Sequence, residues 1–134
     1  MKLHNVYKYP HADQILWELL QERTPEQSIS HKDMPTWERH CLFISSYPYI
    51  SWYLIETDEG IVGSIYLTNL DEIGIFIFKE YHGKGYAAEA IQLLMKTHPR
   101  DQFLANINPA NFKSESLFNK LGFKHIQNTY SYGS

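Results

Sequence analysis

The fold of this chain is decided by residues 72–90, which read Glu-Ile-Gly-Ile-Phe-Ile-Phe-Lys-Glu-Tyr-His-Gly-Lys-Gly-Tyr-Ala-Ala-Glu-Ala. The run at 73–78 is apolar, β-branched and aromatic, which predicts a buried strand. A polar turn leads to Gly83, Lys84 and Gly85, and small or apolar residues then recur at helical spacing. The first turn of a helix carries unpaired N–H groups and the positive end of the helix dipole, and glycine leaves the backbone bare. This order therefore favours an anion-binding site at the turn.

Strands and helices are predicted on both sides of this unit from the same periodicity. Upstream, the pattern predicts strands at 2–8, 50–57 and 61–68 and helices at 12–23 and 35–46. Downstream of a third helix at 85–97, it predicts a strand at 103–107, a helix from 108 to 121 and a last strand at 123–132. The expected fold class is α/β (α+β), a mixed, mostly antiparallel central sheet flanked by helices, within one domain at 1–134.

Composition is typical of a folded globular protein. The chain has 134 residues, of which 43% are hydrophobic and 15% aromatic, enough for a buried core. A net charge of -3 gives no reason to expect nucleic acid or a membrane surface as a partner. The single cysteine, Cys41, excludes an internal disulfide and fits a reducing compartment. The first residues lack the apolar core of a signal peptide and no apolar run is long enough to span a membrane, so we expect a cytoplasmic protein.

The glycine turn has competing interpretations. Gly83-x-Gly85-x-x-Ala88 fits a loose dinucleotide fingerprint, but that motif normally follows the first strand of a long alternating unit, with an acidic residue closing the next strand. Here little chain remains, and Asn106 and Asn108 stand near that position. The spacing of a P-loop is also absent. Two interpretations stay open: a turn that holds a pyrophosphate, which the charge of Lys84 favours, or a turn that merely connects two elements.

Two stretches together resemble a known family. Residues 75–90 resemble the acetyl-coenzyme A motif of the GNAT (Gcn5-related) N-acetyltransferases, Arg/Gln-x-x-Gly-x-Gly/Ala, with Gly85 and Ala87 at the last two positions. His82 stands where that pattern has Arg or Gln. Residues 108–123 are similar to the family's Asn-x-x-Ser…Leu-Gly-Phe signature, most like its RimJ/RimL-type branch. Both motifs occur in the order and spacing of the family.

The resemblance implies an architecture and a cofactor. In GNAT enzymes the strand before the glycine turn and the strand after the third helix, here the fourth and fifth strands, splay apart and admit the pantetheine arm of acetyl-CoA. Main-chain groups of the fourth strand would hold the pantetheine, and the amides of the turn would hold the pyrophosphate. Asn111 would either bond the pantetheine or cap its own helix. The implied cofactor-binding residues are Ile75, Ile77, Phe78, His82, Gly83, Lys84, Gly85, Tyr86, Ala87 and Asn111, and no metal is implied.

The catalytic groups follow less directly. Many family members place a tyrosine, which protonates the leaving thiolate, at the position that Phe118 occupies in this chain. Phe118 has no proton to give, and Ser114 is the nearest hydroxyl that could replace it. For the base we expect Glu72, at the start of the fourth strand, where the family often uses a carboxylate or a carboxylate-bound water.

The first half of the chain is expected to bind the acceptor, through His31, His40 and Trp52. The core is the more usual place for such a tryptophan, and a lone histidine is more often structural than catalytic. His31, His40 and His82 are also titratable alternatives to Glu72 as the base. Residues 34–40 and 47–49 are loosely similar to GNAT enzymes that act on nucleotide-linked amino sugars. The expected function is transfer of an acetyl group from acetyl-CoA to a primary amine of a small molecule, by direct attack in a ternary complex. A protein N-terminal acetyltransferase and a non-catalytic CoA-binding module, which Phe118 would suit, remain alternatives.

Overall fold

The computed structural model describes residues 1–23 and 34–133. Its strands are β1 (Lys2–Asn5), β2 (Ser51–Thr57), β3 (Gly60–Leu67) and β4 (Ile73–Ile77), and its helices are α1 (Ala12–Gln21), α2 (Trp37–Ser45), α3 (Tyr86–Thr97) and α4 (Phe112–Lys120). Short 3-10 turns follow β1 at Val6–Lys8 and β4 at Lys79–Tyr81. None of the helices in these ranges has the length and apolar character needed to cross a bilayer.

The strands form one sheet in the order β1-β2-β3-β4, and every neighbouring pair is antiparallel. The short turn between β2 and β3 makes them a hairpin, in agreement with the glycine at 60, which has a φ of +99°. The predicted fold class, a mostly antiparallel sheet flanked by helices, is confirmed. Within the described residues, one edge of β4 has no neighbouring strand for most of its length.

Apolar side chains cover both faces of the sheet. On one face, a core cluster joins the sheet to α3 and α4, and on the other a second cluster joins it to α1 and α2. Side chains alternate along a strand, so β4 divides its residues between the two: Ile73, Ile75 and Ile77 lie with the first cluster and Phe76 with the second. The edge of β4 is therefore the place where the two faces meet.

The predicted fifth strand at 103–107 is reduced to a single parallel bridge between Glu72 and Leu104. Ile73 N donates to Leu104 O at 2.8 Å, and Leu104 N donates to Asp71 O at 2.9 Å. Beyond this bridge the segment shows no further pairing with β4 in the described residues. A β-prone sequence forms a strand only where a neighbouring edge supplies hydrogen bonds, and here that edge is left open.

The predicted last strand at 123–132 is wrong, because the structure has no strand in this segment. Its apolar residues Ile126, Tyr130 and Tyr132 are 68%, 88% and 106% exposed. Alternating apolar residues stabilise a strand by burying one face against a core, and after Phe123 this segment buries no apolar face.

A glycine on β4 makes room for an aromatic ring. A Cβ added to Gly74 would lie 2.0 Å from Tyr66 Cζ, so the Tyr66 ring covers the strand at this point. The ring of Tyr49 stacks on that of Tyr66 with 3.8 Å between centroids and 3° between planes. Gly74 therefore leaves the space in which the stacked rings of Tyr66 and Tyr49 lie close to β4.

We predict that Gly74→Ala destabilises the protein by about 1–3 kcal/mol, because its methyl group overpacks against Tyr66. Combining it with Tyr66→Leu, which removes the clashing ring atoms, should cost less than the sum of the single changes. Denaturant unfolding of the four proteins in this cycle measures the coupling. Strictly additive costs would show that the ring does not rest on Gly74.

Candidate active site

A cleft of about 330 Å³ opens where β4 and the segment after Leu104 diverge. Residues 73–77 of β4 form one wall, and Asn106, Ile107, Asn108, the first residues of α4 and Ala87 of α3 form the other. The same cleft continues to Glu22, Arg23, Tyr49 and Tyr66 on the opposite face of the sheet. It therefore passes the edge of β4 and connects the two faces.

The cleft side of β4 carries free main-chain groups. Thr68 N donates to Glu72 O and Phe78 N donates to Val62 O, so β4 residues with even numbers pair with β3. Hydrogen bonding alternates along an antiparallel strand, which turns the main-chain groups of Ile75 and Ile77 toward the open edge. Ile77 O is bound there by His82, whose Nε2 lies at 2.8 Å. Ile75 thus offers both an N–H and a carbonyl to an extended ligand, and His82 holds the last carbonyl of the strand.

Phe78 does not share this arrangement, although the sequence placed it with the cofactor wall. Its N–H donates to Val62 O at 2.9 Å and its carbonyl accepts from Tyr81 N at 2.9 Å. Its ring packs in the cluster against α1 and α2. The main-chain groups of Phe78 are therefore not available for the expected contacts with the cofactor, and the expectation for this residue is corrected.

The glycine turn presents a row of bare amides. Gly83 and Gly85 have φ values of +79° and +81°, and a Cβ at either would meet nothing within 4 Å. The helical bonding of α3 begins only with Glu89 N donating to Gly85 O at 3.2 Å, and no side chain caps the helix. Within residues 1–23 and 34–133, no acceptor pairs with the N–H groups of residues 83–88. These groups lie at the positive end of α3 and suit a phosphate or diphosphate.

Lys84 and Tyr86 of this turn both bind a carboxylate. Lys84 Nζ lies 2.6 Å from Glu59 Oε1, and the Tyr86 hydroxyl donates to the other oxygen of Glu59. The hydrogen bond from Lys84, with a second contribution from Tyr86, lowers the pKa of Glu59, and the same bond raises the pKa of Lys84. Glu59 lies in the β2–β3 turn, far away in sequence, so the pair could not be predicted from the motif. A phosphate at the amides would compete with Glu59 for Lys84.

Glu72 lies at the closed end of the cleft, next to the bridge to Leu104. Its Oε1 accepts from Thr68 Oγ1 at 3.0 Å, and its Oε2 accepts from Asn106 Nδ2. Thr68 Oγ1 in turn accepts from Glu72 N at 3.1 Å. The carboxylate is thus held from both sides and still lines the cleft. In the sequence, Asn106 stands out only as a residue that is not acidic, and no local signal indicates its contact with Glu72.

The start of α4 contributes polar groups to the other wall. Asn111 Oδ1 accepts from Ser114 N at 3.1 Å, so Asn111 caps α4, and both side chains line the cleft. Asn111 keeps its amide NH2 for a ligand. Phe118 is 4% exposed and packs edge-on against Phe123 at 5.0 Å, yet it also lines the cleft. Ser114 is therefore a half-buried hydroxyl close to the ring that replaces the family's tyrosine.

The residues expected to bind the acceptor lie elsewhere. His40 is 5% exposed between α1 and α2, and its Nε2 lies 2.9 Å from Asp13 O. Trp52 is 8% exposed in the second core cluster, edge-on to Tyr49 at 4.8 Å. Neither lines the cleft, because their side chains fill the space between sheet and helices, and both are corrected to core residues. His31 lies outside the described residues.

Comparison with known proteins identifies the fold family. The model of the acetyltransferase (GNAT) domain matches residues 3–124. This chain belongs to the GNAT family. As a GNAT domain it is an acyltransferase, and members of the family take the acetyl group from acetyl-CoA. No curated protein sequence matches it significantly.

Solved structures of GNAT enzymes share this fold. A spermidine N-acetyltransferase chimaera of Vibrio cholerae SpeG and hSSAT has a TM-score of 0.73 at 13% identity, over 95% of this chain and 84% of that one. An aminoglycoside 6'-N-acetyltransferase from Acinetobacter haemolyticus has a TM-score of 0.71 at 12% identity, over 100% and 98%. A ribosomal-protein-alanine N-acetyltransferase from Brucella melitensis has a TM-score of 0.67 at 12% identity, over 95% and 86%. Identities this low establish the fold alone.

We predict that Gly85→Glu abolishes binding of acetyl-CoA while the protein stays folded, because it places bulk and negative charge among the bare amides. Gly122→Glu is the matched control: Gly122 also has a positive φ, +95°, with open space around it, but lies after α4. Both changes should cost roughly 1–2 kcal/mol of backbone strain. Calorimetric titration measures affinity and thermal unfolding measures stability. Equal acetyl-CoA affinities in the two variants would count against the amide turn as the phosphate site.

Proposed function

We propose that this GNAT protein is an acetyl-CoA-dependent N-acetyltransferase, a single domain over 1–134 that acts in the cytoplasm on the primary amine of a small molecule. The acetyl group would pass by direct attack of the amine within a ternary complex. One observation carries the proposal: a continuous cleft runs from His82 and Ala87, which flank the bare amides of the glycine turn, along a free strand edge to a held carboxylate. These are the parts needed to bind an acyl-CoA and to activate an amine.

The open backbone around Gly83 and Gly85 fits the diphosphate of acetyl-CoA, because no side chain fills that space. The N–H and carbonyl of Ile75 suit the amides of pantetheine, as an added strand would. The side-chain amide of Asn111 faces the same cleft and can donate to that arm. Acetyl-CoA supplies the thioester when it is bound, and these groups position it along β4.

Glu72 is the proposed base. An amine attacks only when it has lost its extra proton, and a carboxylate or a water bound to it can remove that proton. Thr68 and Asn106 fix the orientation of the carboxylate, and each oxygen keeps a further lone pair for an amine or a water. Ser114 is proposed as the donor that stabilises the leaving thiolate, since Phe118 cannot.

The acceptor and the branch of the family are the finer parts of the proposal. A nucleotide-linked amino sugar remains the predicted acceptor, supported by the loose similarity of residues 34–40 and 47–49 noted above. Placement in the RimJ/RimL-like branch stays a prediction. The structural relatives named above are N-acetyltransferases of spermidine, of an aminoglycoside and of a ribosomal-protein alanine, so a panel should include all three kinds of acceptor.

A thiol-release assay tests the proposal, with acetyl-CoA as donor and a panel of amino sugars, polyamines, aminoglycosides and N-terminal peptides. We expect release of CoA with at least one small amine and acetylation at its primary amine by mass spectrometry. Turnover of peptides alone would establish a protein N-terminal acetyltransferase instead. Binding of acetyl-CoA without turnover of any acceptor would favour the non-catalytic module.

We predict that Glu72→Gln lowers kcat by roughly 10²–10⁴-fold, the usual contribution of a general base, with little change in acetyl-CoA affinity. Asp71→Asn is the matched control, since the neighbouring carboxylate pairs with Arg100 at 3.0 Å and does not line the cleft. Raising the pH should partly restore the variant, because the amine then loses its proton to solvent. An unchanged kcat in Glu72→Gln would remove this residue from the mechanism.

A further inference from the structure

Arg23, just after α1, is a cation that lines the cleft near Tyr49 and Tyr66. Its Cζ lies 3.7 Å from the centroid of the Phe76 ring, so the guanidinium covers an aromatic side chain of β4. Its Nε is buried, and no hydrogen-bond partner is present for that atom in the part of the chain the structure describes. Burial lowers the pKa of the Arg23 side chain, although Tyr66 and Tyr49 oppose that shift.

The nearby carboxylates have other partners. Glu22 Oε1 accepts from Lys79 N at 2.8 Å, and Glu72 accepts from Thr68 and Asn106. Across residues 1–23 and 34–133, no ion pair includes Arg23. A bound anion would therefore return part of the hydration energy that the Arg23 side chain loses where it lies against Phe76.

Tyr66 lines the same cleft as Arg23 and Glu72, the proposed base. Burial raises the pKa of Tyr66, and Arg23 opposes that rise. Gly74 and the Tyr49 stack fix the position of the Tyr66 ring. One cleft therefore contains a carboxylate suited to an amine, an ordered tyrosine and a cation suited to an anion.

We infer that the acceptor of this enzyme carries an anionic group, a carboxylate or a phosphate, in addition to its amine, and that Arg23 binds this group. The inference rests on the proposed function and narrows its substrate class. A guanidinium holds its N–H donors in one plane, where they match the oxygens of a carboxylate or phosphate in pairs. The site selects against acceptors that bear only positive charges, such as polyamines, because those would place a second cation beside Arg23.

Matched acceptor pairs test this inference: glucosamine against glucosamine 6-phosphate, and alaninamide against alanine. We expect a higher kcat/KM for the anionic member of a pair, and the pair that shows the preference distinguishes phosphate from carboxylate. Arg23→Met should lower kcat/KM for that anionic acceptor by about 10–100-fold and leave the uncharged one nearly unchanged, as for loss of a charge-assisted hydrogen bond. Arg23→Lys keeps the positive charge but loses the paired N–H donors of the guanidinium, so its kcat/KM for the anionic acceptor should lie between those of the parent and Arg23→Met.

Arg39→Met is the matched control, because Arg39 is an exposed arginine on α2 outside the cleft. The thermal midpoint of Arg23→Met should stay close to that of the parent, because methionine keeps an apolar contact with the Phe76 ring and the described residues include no ion pair of Arg23. A purely structural arginine would instead lower stability and affect all acceptors alike. The inference would be overturned if the parent protein had a kcat/KM for uncharged amines and polyamines equal to or higher than that for the anionic acceptors.

Binding without chemistry separates this inference from the proposed function. Glucosamine 6-phosphate and alanine are titrated calorimetrically into the CoA-saturated parent and Arg23→Met proteins. Binding of either compound that disappears in the variant supports the anion site even if no acceptor is acetylated. Absence of binding of both compounds to the parent, or equal binding to the two proteins, overturns it while leaving acetyl-CoA chemistry to be judged by thiol release.

Discussion

The whole site depends on one parallel bridge, between Glu72 and Leu104, after which two chain segments separate. The bridge closes one end of the cleft and leaves the rest of β4 as an open strand edge. An unpaired edge is normally a liability, because it offers hydrogen bonds to any passing chain. In this protein the opposite wall, built from residues 106–108 and α4, narrows that edge to a cleft, so the free groups are available to an extended ligand and to little else.

Different parts of the cleft carry different charges. At one end, the bare amides and the dipole of α3 create positive potential. Glu59 moderates this potential by binding Lys84 and Tyr86, so an incoming diphosphate would have to compete for the lysine. Elsewhere in the cleft, Glu72 and Arg23 provide charges of opposite sign. A donor and an acceptor can thus enter from opposite faces of the sheet and meet at the edge of β4.

The part of the cleft near Tyr66 and Arg23 is built partly from residues of the hydrophobic core. Gly74 has no side chain of its own, and the Tyr66 ring lies over the strand in the space this leaves. Tyr49 stacks on Tyr66 and also contacts Trp52. Arg23 rests on Phe76 without an ionic partner among the described residues. Local choices that cost stability commonly mark functional sites, and here they coincide with the cleft.

The sequence by itself determined the elements whose signals are local. The apolar run of β4, the glycine turn, the helical period of α3 and the cap at Asn111 each depend on neighbours within a few residues, so they were predictable. Tertiary structure alone decided which side chains meet: it placed His40 and Trp52 in the core, turned the main chain of Phe78 toward β3, left 123–132 unpaired and brought Arg23 beside Phe76. The physical reason is that burial, strand pairing and contacts between charges depend on residues distant in the chain. The local periodicity of apolar residues does not identify those residues.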